Sequence, residues 1–229
     1  HKFGVISNVQ TTKAGINSYL NGYLKTENIQ FRKSDITFKR SVASRSWEHA
    51  KVLLEYGKVT KTFESFRLDV EPGRIYEGEI LGIVGENGTG KSTFAKILSG
   101  KLTADKSSDY RDIHQYISYK PQYITRDYEG TVKQFIQKTS QNYDFSENMI
   151  KILYRPLGVH KLFDTPVKSL SGGQLQRTFI CACLAKRANL YILDEPSAYL
   201  DVEERLKISS IIRSMTQSQH ATTICIEHD

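Results

Sequence analysis

A glycine-rich loop between an apolar segment and a helical segment constrains this chain more than any other feature. Residues 85–93 read GENGTGKST and match the pattern G-x-x-x-x-G-K-[ST]. We predict a strand over residues 79–84, before the loop, and a helix over residues 91–98, after it. In this context the backbone N–H groups of the loop and the positive end of the helix face one phosphate chain. The sequence therefore predicts an α/β fold with a phosphate loop at the end of a buried strand.

Strand-like and helix-like segments alternate along the rest of the chain. Strands are predicted at residues 115–119, 190–193 and 222–226, and helices at 131–139, 173–187 and 201–216. Such alternation favours a mostly parallel sheet with helices on both faces. Residues 51–70 instead show a partial alternation of apolar side chains, which favours a small antiparallel sheet.

A second motif supplies carboxylates at the end of an apolar strand. Residues 190–195 read LYILDE. We expect Asp194 to hold Mg²⁺ and Glu195 to act as the general base on an attacking water. In the phosphate loop, Lys91 is expected to reach the β- and γ-phosphates and Ser92 to ligate Mg²⁺. The remaining residues predicted to bind the phosphates are Gly85, Asn87, Gly88, Thr89, Gly90 and Thr93.

Cysteine usage and hydropathy indicate a cytoplasmic protein. The odd count of three cysteines, Cys181, Cys183 and Cys225, argues against a disulfide framework. Cys181 and Cys183 lie in a predicted helix, where residues two apart point about 200° away from each other. They are therefore predicted to be core side chains and not half of a metal site. Uncharged runs in the apolar second half, such as residues 178–185, are far shorter than the roughly 20 residues that span a bilayer.

Basic residues are concentrated at the amino-terminal end. The chain has 32 Lys and Arg against 25 Asp and Glu, a net charge of +7. Residues 1–61 carry 11 basic and 4 acidic side chains and so hold the whole excess. Such a segment attracts nucleic acid or anionic membranes, although a solvated Lys-rich surface explains the same count.

The sequence LSGGQ at residues 170–174 narrows the class of ATPase. Its serine, Ser171, lies 23 residues before Asp194. LSGGQ is the signature of ATP-binding-cassette (ABC) ATPases, and the chain resembles that superfamily. The resemblance implies that Ser171, Gly173 and Gln174 contact the γ-phosphate of ATP bound to a different nucleotide-binding domain. A hydroxyl and bare backbone amides at a helix start suit that task.

Four further site residues follow from the same resemblance. Gln122, in YKPQ, resembles the Q-loop glutamine that senses Mg²⁺ and the water. Asp201, in SAYLD, resembles the D-loop aspartate at the dimer seam, and His228, in IEHD, resembles the switch histidine on the γ-phosphate. An aromatic side chain is implied to stack on adenine, and we expect Tyr56, with Phe63 as the alternative.

Residues 15–32, GINSYLNGYLKTENIQFR, resemble the hinge of ABC subfamily E, the RNase L inhibitor family. GENGTGK, SYKPQ and DEPSAYLD, at residues 85–91, 118–122 and 194–201, resemble its second cassette. The family usually carries Glu after LSGG, where this chain has Gln174. The resemblance implies a soluble twin-cassette ATPase that splits ribosomes after termination, acts in termination and initiation, and uses ATP and Mg²⁺.

The resemblance also sets the expected domains and partners. Residues 1–50 are expected to be a hinge, and residues 51–229 a nucleotide-binding domain truncated at its carboxyl end, with a helical subdomain at about 123–176. Because the chain begins at His1, we expect it to be a fragment. The implied partners are the first cassette of the full-length protein, the small ribosomal subunit with its rRNA, and termination and initiation factors. No membrane partner is expected, and a nucleotide-bound dimer of this chain is possible.

Three alternative functions stay open. The chain could be the nucleotide-binding domain of an ABC transporter, but the 55 residues before Tyr56 match the hinge. It could be a DNA-repair or chromosome ATPase, but the 80 residues from Lys91 to Ser171 show no sustained heptads. It could bind ATP mainly as a scaffold, although the intact Lys91, Asp194 and Glu195 argue against that.

Overall fold

The computed structural model describes residues 8–33, 35–36, 51–107, 117–140 and 145–228. Two compact units are present, one within residues 1–47 and the other within residues 48–229. The predicted hinge residues 1–7, 34 and 37–50 lie outside the described residues, as do residues 115 and 116 of a predicted strand.

The first unit is a helix followed by a short hairpin. Its elements are α1 (Thr12–Asn21), β1 (Tyr23–Leu24) and β2 (Ile29–Gln30). The Thr11 hydroxyl caps the start of α1 by accepting from the N–H of Ala14 at 3.3 Å. Gly22 ends the helix with a left-handed φ of 69°. A Cβ at Gly22 would lie 2.6 Å from that of Arg32, so the close approach of the hairpin also requires glycine.

The second unit contains the remaining elements of the described residues. In chain order they are β3 (Val52–Tyr56), β4 (Val59–Thr62), β5 (Arg67–Val70), β6 (Gly73–Tyr76), β7 (Ile80–Val84), α2 (Lys91–Leu98), β8 (Lys106–Ser107), β9 (Ile117–Lys120), α3 (Val132–Ser140), α4 (Glu147–Met149), α5 (Gly172–Ala185), β10 (Leu190–Asp194), α6 (Val202–Gln219) and β11 (Thr222–Glu227). A π-helical turn at Ile150–Tyr154 and 3₁₀ turns at Val159–Leu162 and Val167–Ser169 lie between α4 and α5. The stretch predicted as a helical subdomain thus holds α3, α4, these turns and the start of α5.

A four-stranded parallel sheet in the order β7-β11-β10-β9 forms the centre of the second unit. The carboxyl ends of its four strands lie side by side, since Val84 pairs with Glu227, Ile226 with Asp194, and Leu193 with Lys120. The antiparallel strands form two smaller sheets, β3-β6 and β5-β4-β8. The predicted α/β fold with a small antiparallel part is confirmed. Loops after parallel strands emerge at one edge, so the phosphate loop and the carboxylates are brought together there.

Two apolar cores hold the elements in place. One lies between the parallel sheet, α2 and the small sheets, and the other surrounds α5. β10 is buried along its whole length because both faces of the sheet are covered at that strand. Cys181 and Cys183 are buried on α5, as predicted, and burial raises the pKa of both thiols. The helices of the described ranges include none with the length and hydropathy of a membrane span.

The boundaries of the two longest helices differ slightly from the predicted ones. α5 begins at Gly172 and ends at Ala185, two residues earlier than predicted, because Lys186 is extended. α6 runs on to Gln219, since no Gly or Pro interrupts residues 202–219, and it ends where His220 takes a left-handed φ of 51°.

Candidate nucleotide site

The phosphate loop joins the end of β7 to the start of α2. Gly88 and Gly90 have left-handed φ values of 81° and 94°, which favour glycine. Gly90 caps α2 without a side-chain hydrogen bond, so the first N–H groups of the helix are available to an anion. The Lys91 ammonium donates to the carbonyl oxygens of Gly85 and Glu86 and lies over the loop. The loop thus presents backbone amides and one cation to the same space.

Three oxygen-bearing side chains meet beside the start of α2. The Ser92 hydroxyl donates to Asp194 Oδ1 at 3.1 Å and to Gln122 Oε1 at 3.4 Å. Tyr119 donates to the other carboxylate oxygen of Asp194 at 3.3 Å. Burial raises the pKa of Asp194, while the hydrogen bonds from Ser92 and Tyr119 oppose that shift. Hydroxyl, amide and carboxylate oxygens suit a hard cation such as Mg²⁺, so these residues fit the expected ion.

That set differs from a site built by protein side chains alone. The described ranges hold no group of three or more His, Cys, Asp and Glu side chains placed to hold a metal ion. Mg²⁺ commonly keeps water and phosphate ligands and uses one or two protein carboxylates. Ser92, Gln122 and Asp194 would therefore hold the ion only together with nucleotide phosphates.

Glu195 lies directly after β10, with its carboxylate against two other predicted site residues. Gln122 Nε2 donates to Glu195 Oε1 at 2.7 Å, and His228 Nδ1 lies 3.3 Å from the same oxygen. The Glu195 side chain is 14% exposed and that of His228 is 45% exposed. Glu195 has a left-handed φ of 48°, which is uncommon for a residue with a Cβ. The tertiary structure therefore brings together three residues that are far apart in sequence.

The backbone of Glu195 is held from three sides. Its N–H donates to the Ile226 carbonyl at 2.9 Å. Its carbonyl accepts from Gln176 Nε2 at 2.7 Å and from Lys120 Nζ at 3.2 Å. Lys120 also donates to the Asp194 carbonyl at 2.8 Å. These contacts stabilise a backbone conformation that would otherwise cost about 1–3 kcal/mol.

The sequence did not predict a role for Lys120 or Gln176, the two side chains that hold the Glu195 carbonyl. Lys120 is 1% exposed and Gln176 is fully buried. Burial lowers the pKa of Lys120 to about 8, against the opposing effect of the Asp194 carboxylate. A lysine in a strand that is otherwise buried, two residues before Gln122, was the available signal. No comparable signal marked Gln176, because its position on α5 alone does not reveal its partner.

The signature residues form the start of α5. The Ser171 hydroxyl accepts from the Gln174 N–H at 3.3 Å, and Gln174 Oε1 accepts from the Ser171 N–H at 2.9 Å. This reciprocal pair is a capping box. A Cβ at Gly173 would approach the Tyr199 carbonyl to 3.1 Å. Asp201 caps the start of α6 with a single hydrogen bond, in which its carboxylate accepts from the Glu204 N–H at 2.8 Å.

The two candidate adenine residues, Tyr56 and Phe63, lie in different surroundings. The Tyr56 ring packs edge-on against Phe94 of α2 at 5.4 Å, and its hydroxyl lies against Gly73. Tyr56 is half-buried within the small sheet and is thus committed to packing. Phe66 instead lies against Gly90 of the phosphate loop, and Phe63, which is 43% exposed, stacks on Phe66 at 6.3 Å. Phe63 is thus more exposed than Tyr56, and it reaches the neighbourhood of the phosphate loop through its contact with Phe66.

A phosphate loop, a strand that ends in two carboxylates and a signature helix define a P-loop ATPase of the ATP-binding-cassette type. The family model described as ABC transporter matches residues 72–198. ABC transporter E family member 3 of Arabidopsis thaliana is 38% identical over 159 residues, which are 68% of this chain and 88% of that protein. The chain belongs to the ABC family, subfamily E.

Longer relatives match nearly the whole chain. An uncharacterized ABC transporter ATP-binding protein of Methanocaldococcus jannaschii is 43% identical over 228 residues, 99% of this chain and 37% of that protein. Translation initiation factor RLI1 of Saccharomyces cerevisiae is 35% identical over 229 residues, with 99% of this chain and 37% of RLI1 covered. The chain thus spans a little over a third of the length of these relatives.

Solved structures agree with this assignment. A structure described as RNase-L Inhibitor matches with a TM-score of 0.82 and 44% identity, covering 95% of this chain and 42% of that chain. A model of ribosome-bound archaeal Pelota and ABCE1 matches with a TM-score of 0.83 and 44% identity, covering 95% of this chain and 36% of that chain.

Proposed function

We propose that this chain is an ATP-binding and ATP-hydrolysing cassette of a cytoplasmic twin-cassette protein that drives ribosome splitting and acts in translation termination and initiation. The observation that carries the catalytic part is the joined set Ser92–Gln122–Glu195–His228 beside the phosphate loop. The ribosomal part is supported by relatives named translation initiation factor and by the described complex of ABCE1 with Pelota on the ribosome.

In the proposed mechanism the phosphate loop binds and orients the triphosphate of ATP. The backbone amides of residues 85–93 hold the phosphate oxygens, and Lys91 swings from the loop carbonyls to the β- and γ-phosphates. Mg²⁺ held by Ser92, Gln122 and Asp194 would neutralise charge on the transferring phosphate. Phe63 covers the adenine ring, supported from below by Phe66.

Glu195 acts as the general base on the attacking water. Its carboxylate lies between Gln122 and His228, so a water beside Oε1 can be oriented by both neighbours. Proton transfer to a positioned base contributes about 10²–10⁴-fold to a rate. His228 provides a donor toward the γ-phosphate, and the clamped backbone keeps the carboxylate directed at the reacting group.

The signature residues serve an ATP site on another cassette. Within the described ranges, no hydrogen bond joins Ser171, Gly173 or Gln174 to residues 85–93. The start of α5 therefore offers its hydroxyl and amides to a partner, which we propose to be the first cassette of the full-length protein. Asp201 and the exposed Tyr199 belong to the same seam. A nucleotide-bound dimer of this chain would use the same surfaces.

Closure of the two cassettes on ATP would move the hinge and thereby act on the ribosome. Binding energy is then used for a conformational switch, and hydrolysis resets it. The small subunit, its rRNA, and termination and initiation factors are the proposed partners.

Co-sedimentation with small ribosomal subunits tests this function. The complete protein should pellet with the subunits in the presence of a non-hydrolysable ATP analogue and less so without nucleotide. A Lys91→Ala variant, which cannot hold the triphosphate, serves as the matched control and should lose the nucleotide effect. Absence from ribosomes in every nucleotide state would contradict the proposal and favour a transporter cassette or a scaffold.

A further inference from the structure

A cationic cleft lies beside the signature helix, away from the phosphate loop. It has a volume of about 650 Å³ and nine lining residues, none of which is Asp or Glu. Its polar lining consists of Arg155, His160, Lys161, Gln174, Arg177 and Lys207. Four of these side chains carry a permanent positive charge, so the cleft concentrates positive potential in a concave space.

Arg177 fixes the three walls of the cleft relative to one another. Its Nη1 donates to the Leu157 carbonyl at 3.1 Å and pairs with Glu204 of α6 at the same distance. Its Nε donates to the Gly173 carbonyl of α5 at 3.3 Å. Gly158 turns there with a left-handed φ of 68°, and a Cβ at that position would lie 3.3 Å from Arg177 Nη1. The cleft is therefore a built feature and not a chance gap between flexible side chains.

The remaining cations are available to a ligand. The structure gives Arg155 and Lys161 no ion pair within the described ranges, and both residues are exposed. Lys207 pairs with Glu203 at 2.7 Å, but both side chains are about half exposed. Exposed pairs of this kind contribute little to stability, so an incoming anion can compete for the ammonium.

Gln174 adds a neutral amide at the point where the cleft meets the signature helix. Its Oε1 is used by the capping box, which leaves the amide end for the cleft side. The lining therefore contains two cationic side chains without an ion pair in the described ranges, two that are paired with glutamates, one imidazole and one amide. The apolar side chains of the lining are Pro156 and Leu162. The charged side chains of this lining suit the oxygens of phosphate groups.

We infer that this cleft binds backbone phosphates of RNA. The choice of RNA as the source of phosphate rests on the proposed ribosomal function. Because the lining includes Gln174 of the signature and Lys207 of α6, bound RNA would contact the two elements that begin at the inter-cassette seam. Arg155 and Lys161 would supply the phosphate contacts, and Arg177 would position the walls.

Salt-dependent binding of the complete protein to a fluorescein-labelled 20-nucleotide single-stranded RNA tests the inference. The double variant Arg155→Gln/Lys161→Gln should bind more weakly. The plot of log K against log salt concentration should become shallower by about 1.4, since each phosphate contact to single-stranded RNA contributes about 0.7. Lys151→Gln, an exposed lysine outside the lining, is the matched control and should leave the slope unchanged. An unchanged affinity and slope in the double variant would overturn the inference.

Lysine footprinting supplies a second readout that the basic amino-terminal segment cannot mimic. Acetylation of Lys161 and Lys207 should slow when RNA is bound, while that of Lys151 should not. Protection by a poly-glutamate peptide but not by RNA would overturn the inference in favour of an acidic protein partner. If RNA fails to slow acetylation of Lys161 and Lys207 in a protein that still pellets with ribosomes, the inference about the cleft is wrong while the proposed function stands. Protection without any ribosome binding would instead contradict the proposed function.

Discussion

Gln122 Nε2 lies 2.7 Å from Glu195 Oε1, while Gln122 Oε1 accepts from the Ser92 hydroxyl at 3.4 Å. One amide therefore joins the phosphate loop to the proposed general base. A displacement of Gln122 would change the surroundings of Ser92 and Glu195 together. Gln122 therefore positions both side chains from a single amide group.

Replacing Glu195 with Gln should separate ATP binding from hydrolysis. The amide keeps the shape of the side chain but cannot accept a proton, so single-turnover hydrolysis should fall about 10²–10⁴-fold with ATP still bound. In the complete protein the variant should retain nucleotide and remain in the closed state. Glu64→Gln, on an exposed loop, is the control. Release of nucleotide at the wild-type rate would rule out Glu195 as the base.

Replacing Lys120 with Met should disturb catalysis more than ATP affinity. The variant removes the donor to the Asp194 carbonyl and leaves the Glu195 carbonyl with only Gln176, so the carboxylate is held less firmly. We expect kcat to fall about tenfold or more, with little change in KM. Lys186→Met is a matched control, since Lys186 donates to the Ile117 carbonyl at 3.4 Å. Equal effects of the two substitutions on kcat would argue against a positioning role.

Gly90→Ala should abolish ATP binding and destabilise the fold. Ala at a φ of 94° is strained, and its Cβ would lie 2.9 Å from both Phe66 and Leu68. The strain alone costs about 1–2 kcal/mol, and displacement of Phe66 would add to it. Gly82→Ala is the control, because its Cβ would meet nothing within 4 Å. Thermal unfolding and binding of a fluorescent ATP analogue measure the two effects.

Phe63→Ala and Tyr56→Ala should affect different properties, ATP affinity in the first variant and folding stability in the second. Loss of a stacking ring at Phe63 should weaken ATP binding by about 1–3 kcal/mol with little change in stability. Loss of the Tyr56 ring from its contact with Phe94 should lower the free energy of unfolding by about 2–4 kcal/mol. Calorimetric titration with ATP and chemical denaturation distinguish them. A larger loss of ATP affinity in a folded Tyr56→Leu variant, which removes the aromatic ring, than in Phe63→Ala would identify Tyr56 as the adenine residue.

The cysteine thiols should be unreactive in the native protein and should make stability fall at alkaline pH. Burial raises the pKa of Cys183 to about 11 and that of Cys225 to about 12. An unfolded thiol titrates near 8.5, so the native state binds more protons between pH 8.5 and 11. The thiols contribute their full share to the free energy of unfolding below pH 8.5, and this share declines as the pH rises through that window. Alkylation by iodoacetamide at pH 8, followed by mass spectrometry, should modify the unfolded chain and spare the folded one.

The motif residues were predictable because their chemistry depends on short local patterns. A phosphate loop requires glycines and a lysine at set spacing, and its strand and helix are visible in the hydropathy of residues 79–98. The alternating pattern also predicted the parallel sheet, whose strands end on one edge whatever lies between them. The capping box at Ser171 and Gln174 is likewise readable from the sequence.

Tertiary structure alone decided how those residues are held and which neighbours serve them. Lys120 and Gln176 reach the Glu195 carbonyl from β9 and α5, which are brought together only when the sheet and α5 pack. The sequence also did not indicate that the Tyr56 ring packs on Phe94 while Phe63 stays exposed. The cleft around Arg177 likewise needs three distant segments to meet. A sequence determines local conformation and periodic burial, whereas contacts between distant segments depend on the packing of the whole domain.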